Sequence, residues 1–436
     1  MMKLTTLITT LIFIFFTENF LFAQEKVFYA GASKVNISPP AGIRLYGGYN
    51  RKDPSQSLHD SLFARSIIFE VDDIRIGIIA CDLVIYQNPA ISIIAKEKLN
   101  IDHVLINCSH THSGPYFGYR DESLPEDHSE EYASRVQQLI IESLETAIEN
   151  KFPARLAYGY KSFAALGYNR LVNKIHGIAM WRDDERIPYG PVDNETSVIK
   201  VEDMEGNPRI VLMQYACHPV TNHVNYDVSA DYPGVACNQV EEFYQENNLI
   251  CLFIQGAAGE VEPLMMSPSR KSASDAVQTD YSFIERNGTL LAEQVIPLIS
   301  ELVPGARTDA SISFTQDTLH FTKRFNPDSK IDLEQSTVLI NNEIAIAAVP
   351  GEPFLWGQFY WKENATVAVP FAFFMGYTYN GGGTYPGYLP DIRNAIRGGY
   401  GCDDSYIIEV GAYETVMNSH LENLYRMQKT LGLAIK

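Results

Sequence analysis

Basic residues are in short supply in this chain of 436 residues: 34 Lys and Arg stand against 53 Asp and Glu, a formal net charge of −19. So acidic a surface repels phosphate backbones and anionic lipid, and nucleic acid is not an expected partner. Cysteine is scarce as well, six in all with no Cys-x-x-Cys spacing, which excludes the small disulfide-stapled scaffold and the common thiol metal and redox motifs. Cys81, Cys108, Cys217 and Cys251 lie in apolar, strand-like runs and read as buried free thiols, while the spacing leaves Cys237 and Cys402 undecided. No apolar run reaches the ~20 residues that a membrane-spanning helix requires. Internal repeats, low-complexity tracts and Gly/Ser- or Pro-rich linkers are also missing, so one continuous domain of catalytic size is expected.

What is present begins with an export signal. Lys3, the apolar stretch Leu7 to Phe16 and the small residue Ala23 follow the layout of a secretory signal peptide over 1–23, leaving a mature catalytic domain over 24–436 that is periplasmic or secreted. Apolar residues make up 46% and charged residues 20%, enough to bury a core and too few charges for a disordered chain. Short β-rich runs alternate with longer amphipathic ones. Strands are expected at Ile74 to Val84, His103 to Cys108, Arg209 to Ala216, Leu249 to Gln255, Glu343 to Val349 and Thr366 to Phe374. Helices are expected at Ser129 to Asn150, Pro233 to Asn247, Ser282 to Leu302 and Ala412 to Leu431, giving an α/β fold. Several of these strands run straight into polar, Gly- or His-containing turns, where open α/β sheets place their ligands.

Four such turns carry candidate chemistry. In Cys108-Ser109-His110-Thr111-His112-Ser113-Gly114-Pro115 an extended backbone would aim His110 and His112 at one face, for one metal or for a metal and a proton carrier; hydrogen-bonded turn histidines are the plainer alternative. His218 follows another strong apolar strand in Tyr215-Ala216-Cys217-His218-Pro219, with His223 close behind, and either a ligand or a core histidine fits there. Asp231 in Asp231-Tyr232-Pro233-Gly234 reads as a helix-capping residue. Gln255-Gly256-Ala257-Ala258-Gly259-Glu260-Val261-Glu262-Pro263 lacks the Gly-Lys-Ser/Thr ending of a phosphate loop; its small residues suit N–H donors to an oxyanion, and its two carboxylates suit acid–base work or simple solvation. Glu352 in Val349-Pro350-Gly351-Glu352 is a metal carboxylate or a helix N-terminal charge, and the Tyr-rich Asn380 to Pro390 segment fits a loop over a site.

Taken in order, these segments resemble the catalytic domain of the neutral/alkaline, non-lysosomal ceramidase family. Gly31 to Gly42, Gly47-Gly48-Tyr49, Asp60 to Arg65 and Asp82 look like its opening motifs; His110-Thr111-His112-Ser113-Gly114-Pro115 is the most specific piece. The resemblance implies a mixed-sheet ceramidase-like domain with its metal site at strand ends. It implies zinc held by His110, His218, Glu352 and Tyr388, the last lying 36 residues after Glu352, with His112 shuttling protons and Arg170 of Asn169-Arg170 facing the site. One position departs from the pattern: Glu262 stands where the family carries serine. The chain also stops at Lys436, without room for the family's C-terminal immunoglobulin-like domain. The expectation is therefore an exported zinc hydrolase of amide (N-acyl) bonds acting on a small acylated or sugar-like substrate other than ceramide. A zinc hydrolase of carbohydrate derivatives or esters and a metal-stabilised binding protein without turnover are the alternatives. Oligomeric state is not legible.

Overall fold

Period-two burial runs through the long strands. Phe63–Val71 turns Ile67, Phe69 and Val71 to one face and Ala64 and Ile68 to the other; its neighbour Ile74–Cys81 separates Ile76, Ile78 and Ala80 from Ile79 and Cys81 in the same way. Both sets are buried, so the sheet is covered on both faces, which is why such strands read as nearly continuous apolar runs.

The computed structural model describes residues 26–46, 51, 53–117, 130–162, 166–171, 190–222, 224–268, 274, 279–305, 310–379, 382–402 and 408–428. The expected signal segment 1–23, the Gly47-Gly48-Tyr49 motif, His223, Asn380 and Gly381 lie outside these residues. A nine-stranded mixed sheet runs in the spatial order Ile250–Gln255, Pro208–Tyr215, Glu195–Asp203, Phe152–Ser162, Tyr29–Asn36, Phe63–Val71, Ile74–Cys81, His103–Cys108, Thr378–Tyr379. Its first pair is parallel, as is Ile74–Cys81 with His103–Cys108; the other pairs are antiparallel. A second sheet holds Ile312–Lys323, Asn326–Ile340, Ile344–Ala348 and Phe371–Met375, the last two parallel.

The two sheets face each other across one apolar cluster that draws Ile67, Ile78, Leu212 and Ile254 from the first and Val338, Ile346 and Phe373 from the second. Helices cover the outer faces. Glu130–Glu149 packs Tyr132, Val136, Ile140 and Leu144 on the large sheet, Asp231–Phe243 and Ser282–Glu301 cover its other half, and Leu355–Ala365 with Ala412–Met427 covers the small sheet. The result is a four-layer α/β/β/α stack. Among the described residues no helix is long and apolar enough to cross a membrane.

The expected elements at His103–Cys108, Ile250–Gln255, Ser282–Glu301 and Ala412–Met427 form within a few residues of their predicted bounds. The strand expected over Thr366 to Phe374 begins only at Phe371, because residues before it close the helix Leu355–Ala365 with turns. All six cysteines are buried and free, Cys237 and Cys402 included.

The large sheet coils so far that strands first and eighth in its order meet at their carboxyl ends. Asn107 joins them: its Oδ1 accepts from Gln255 N at 2.9 Å and its Nδ2 donates to Gly376 O at 2.6 Å, drawing in the small sheet as well. Gly376 N in turn donates to Gln255 O at 2.9 Å. The carboxyl ends of strands from both sheets therefore open into one space, and the candidate residues lie there.

Candidate metal centre and active site

His110 follows the strand His103–Cys108 by two residues, but not in an extended backbone. It adopts φ +66°, pinned by His110 N to Leu83 O at 2.9 Å and Ser109 N to Cys81 O at 2.9 Å. His is among the few non-glycine types enriched in this left-handed region. The turn still brings His110 and His112 together, with ring centroids 4.9 Å apart. His112 is fixed through its backbone, N to Pro219 O at 3.2 Å and O from Arg51 Nη1 at 2.8 Å. His218 leaves the strand Pro208–Tyr215 and is held by its N on Val261 O at 2.9 Å. Glu352 is delivered by Gly351, whose φ of +78° and lack of Cβ are both needed, since a Cβ would meet Gly387 O and Pro386 Cγ at 2.6 Å. Its own N donates to Gly387 O at 2.9 Å.

These side chains converge. Glu352 Oε2 lies 3.2 Å from His218 Nε2 and 3.5 Å from His110 Nε2, and one ligand atom from each of His110, His112 and His218 lies within 4.8 Å of the others. The opposite ring nitrogens settle the tautomers. His110 Nδ1 meets Val84 O at 2.9 Å, and His218 Nδ1 meets Ala258 O at 2.5 Å and Val261 O at 3.2 Å. Carbonyl oxygens only accept, so each Nδ1 carries a proton, and in the neutral ring that leaves Nε2 with its lone pair. Two lone pairs and a carboxylate oxygen thus point at one another in a buried space, an arrangement that a divalent cation satisfies, and a His/His/carboxylate set suits zinc. Burial pushes His110 down to about 4, against the pull of Glu352. Burial alone would raise Glu352, but His110 and the contact with His218 hold it at about 2. His110 is therefore neutral and Glu352 a carboxylate at neutral pH, the forms in which these groups bind metal.

Arg170 and Glu262 form the adjoining wall. Arg170 Nη1 donates to Glu262 Oε1 at 3.0 Å, Nη2 donates to Gly259 O at 2.6 Å and to Tyr388 Oη at 3.1 Å, and the guanidinium lies over the Tyr400 ring at 4.7 Å. Burial works against its charge, and Tyr388 and Glu262 outweigh that and hold it protonated. Glu262 Oε2 accepts from Tyr168 Oη at 3.0 Å, so both its oxygens are engaged. Tyr388 pairs in register with Glu352 in a two-residue parallel ladder, and burial followed by the Glu352 charge pushes its phenol well above the usual range. Four of the N–H groups that the Gly256–Glu262 loop could offer an oxyanion are paired within the protein. Gly256 N, Ala257 N, Gly259 N and Val261 N bond to Tyr215 O, Gln358 Oε1, Pro353 O and Ala258 O, because the loop's small residues serve close packing against Gln214, Glu352 and Phe354. Glu260 lies buried beneath the site with both oxygens on Leu355 N at 3.1 Å, pushed up to about 8 by burial.

Asp82 and Asp231 stand outside the donor set. Asp82 pairs with Arg65 at 3.0 Å, and Asp231 accepts from Tyr232 N at 2.6 Å in the first turn of its helix. Three site tyrosines escaped the sequence reading. Tyr168 holds Glu262; Tyr377, at φ +49°, sets its hydroxyl 3.5 Å from His218 Nε2 and its ring 4.7 Å from that of His110; Tyr385 donates to Glu352 Oε1 at 2.7 Å. Only the Tyr-rich composition of Asn380 to Pro390 carried a signal, and only for Tyr385.

Comparison with known proteins gives consistent results. The model of the neutral/alkaline non-lysosomal ceramidase N-terminal domain matches residues 28–291. Among solved structures, the neutral ceramidase from Pseudomonas aeruginosa superposes with a TM-score of 0.71 at 14% identity, over 93% of this chain and 75% of that one. A ceramidase complexed with C2 gives 0.73 at 14% identity, over 93% and 76%.

Proposed function

The chain belongs to the neutral/alkaline non-lysosomal ceramidase family, and from that premise we propose that it is an exported, zinc-dependent hydrolase of amide (N-acyl) bonds whose substrate differs from ceramide. The observation that carries the reading is the convergence of the Nε2 atoms of His110 and His218 with Glu352 Oε2 in one buried space, each Nδ1 tied to a backbone carbonyl. His110, His218 and Glu352 would hold the metal, with Tyr388 beside Glu352 as the fourth donor implied by the family pattern. When bound, zinc supplies Lewis-acid polarisation of a carbonyl and acidifies water from near 16 to about 7.

The remaining steps belong to the side chains. His112, whose ring lies beside those of His110 and His218, would take a proton from the attacking water and return it to the leaving amine. Glu262 is less suited to that task, since its oxygens are occupied by Arg170 and Tyr168. Arg170 sets positive charge against Tyr388 at the edge of the site, and Glu262 balances it. A second reading has its own support: the approach of His112 to the other two imidazoles within 4.8 Å fits a three-histidine site in which His112 is a ligand.

Glu262 also shapes the substrate proposal. A carboxylate at the position of the family's serine disfavours a long apolar chain there and suits a small, hydroxyl-bearing acylated or sugar-like molecule. Hydrolysis of a panel of N-acyl lipids, N-acetyl sugars and acyl esters by the purified protein tests this; turnover confined to esters would replace the amide reading. Export rests on the layout of residues 1–23, and a mature N-terminus at Gln24 is the expected result of terminal sequencing.

A further inference from the structure

We propose that Tyr385 is a positioning residue for Glu352, deciding which carboxylate oxygen faces the imidazoles; this rests on the zinc reading above. A carboxylate on a flexible side chain has two equivalent oxygens and a soft terminal torsion, so a ligand of this kind needs a partner that fixes it. Tyr385 is that partner. Its hydroxyl donates to Oε1 at 2.7 Å, which leaves Oε2 as the oxygen at 3.2 Å from His218 Nε2 and 3.5 Å from His110 Nε2.

The hydroxyl is itself held from both sides in the chain. One residue earlier, Thr384 N donates to Asp332 O at 2.7 Å on the small sheet; two residues later, Gly387 O accepts from Glu352 N at 2.9 Å. The loop therefore grips the backbone and the side chain of Glu352 together. A carboxylate only accepts, so the hydroxyl is the donor and the bond has one polarity. Tyr388, the tyrosine in register with Glu352, spends its hydroxyl on Arg170 and Tyr400 instead.

The test is zinc affinity of the full chain, measured by competition with a chromogenic chelator, for the wild type, Tyr385→Phe and the control Tyr379→Phe. Tyr379 is buried with its ring centroid 6.4 Å from that of Tyr385, and its hydroxyl meets the Gly351 backbone instead of the Glu352 carboxylate. Tyr385→Phe should weaken zinc binding by roughly 10- to 100-fold, the usual cost of losing such an outer partner, while the metal-free variant keeps the circular dichroism spectrum of the folded wild type. The cobalt-substituted protein should show an altered visible spectrum in the same variant. Unchanged affinity in Tyr385→Phe, or an equal loss in Tyr379→Phe, overturns the proposal. Absence of zinc binding by the wild type would overturn the metal reading instead, and is distinguishable because it appears before any substitution.

Discussion

Replacing Glu262 with Gln asks how much of the site depends on one buried charge. The residue is 9% exposed, with one oxygen 3.0 Å from Arg170 Nη1 and the other 3.0 Å from Tyr168 Oη. Gln preserves the shape and can still accept from Arg170, but the guanidinium loses its counter-charge inside the protein. Hydrogen bonds to charged groups contribute about 1.5–3 kcal/mol and neutral ones about 0.5–1.5 kcal/mol, so the two contacts together should lose about 2 kcal/mol. Glu262→Ala, which leaves Arg170 with no acceptor at that nitrogen, should approach the 3–5 kcal/mol (roughly) typical of breaking a buried ion pair. Urea denaturation of the metal-free proteins measures both. Combining Glu262→Gln with Arg170→Gln should recover much of the loss, giving a coupling of about 2 kcal/mol. Zinc content should stay near normal, because neither residue belongs to the His110, His218, Glu352 set, while turnover of the true substrate falls. Full additivity, or a Glu262→Gln protein as stable and active as the wild type, would refute the claim that this carboxylate organises the wall of the site.

Other outcomes follow from the same geometry. His110→Ala and His218→Ala should lose zinc and activity together, seen by metal analysis beside a rate assay. His112→Ala should keep most of its zinc and lose roughly 10²- to 10⁴-fold in rate if it moves protons; loss of zinc equal to that of His110→Ala would make it a ligand. Ceramide should be cleaved weakly or not at all, and efficient cleavage would show that Glu262 is incidental to specificity. Two buried histidines away from the site, His103 on Ser336 Oγ and His420 on Thr337 Oγ1, are held by burial at about 4 and about 3. The folded chain keeps them neutral while the unfolded chain protonates them, so their stabilisation is complete above pH 6.5 and drains as pH falls toward those values, by up to about 1.4 kcal/mol per unit for each. Denaturation midpoints measured between pH 7 and pH 4 should show that slope, reduced in His420→Asn.

The fold class and the turns that carry chemistry were legible because strand ends show in a sequence as apolar runs broken by His, Gly or Pro. His103–Cys108 and Ile250–Gln255 could be bounded within a residue or so for that reason. The four-layer arrangement was not legible, since a strand buried on both faces does not say which layer lies on which side. The hairpin Ile312–Lys323 with Asn326–Ile340 was hidden too, its outer half being exposed and polar. At the site, the His and Glu residues stood out by type. Their pairings did not: Arg170, expected at the site from the family resemblance alone, meets Glu262 across 92 residues, and Tyr377 reaches His218 only through a left-handed backbone set by tertiary contacts. In the Gly256–Glu262 loop, small residues that suit an oxyanion also suit dense packing, and Gly256, Ala257, Gly259 and Val261 spend their N–H groups inside the protein.

The central claim is that this family member is a zinc hydrolase built on His110, His218 and Glu352. Its most direct test is a titration of zinc into the chelator-stripped protein, following N-acyl hydrolysis against metal bound per chain. Turnover should be absent without metal and rise linearly to a break near one zinc per chain. Undiminished hydrolysis by the metal-free protein would contradict it.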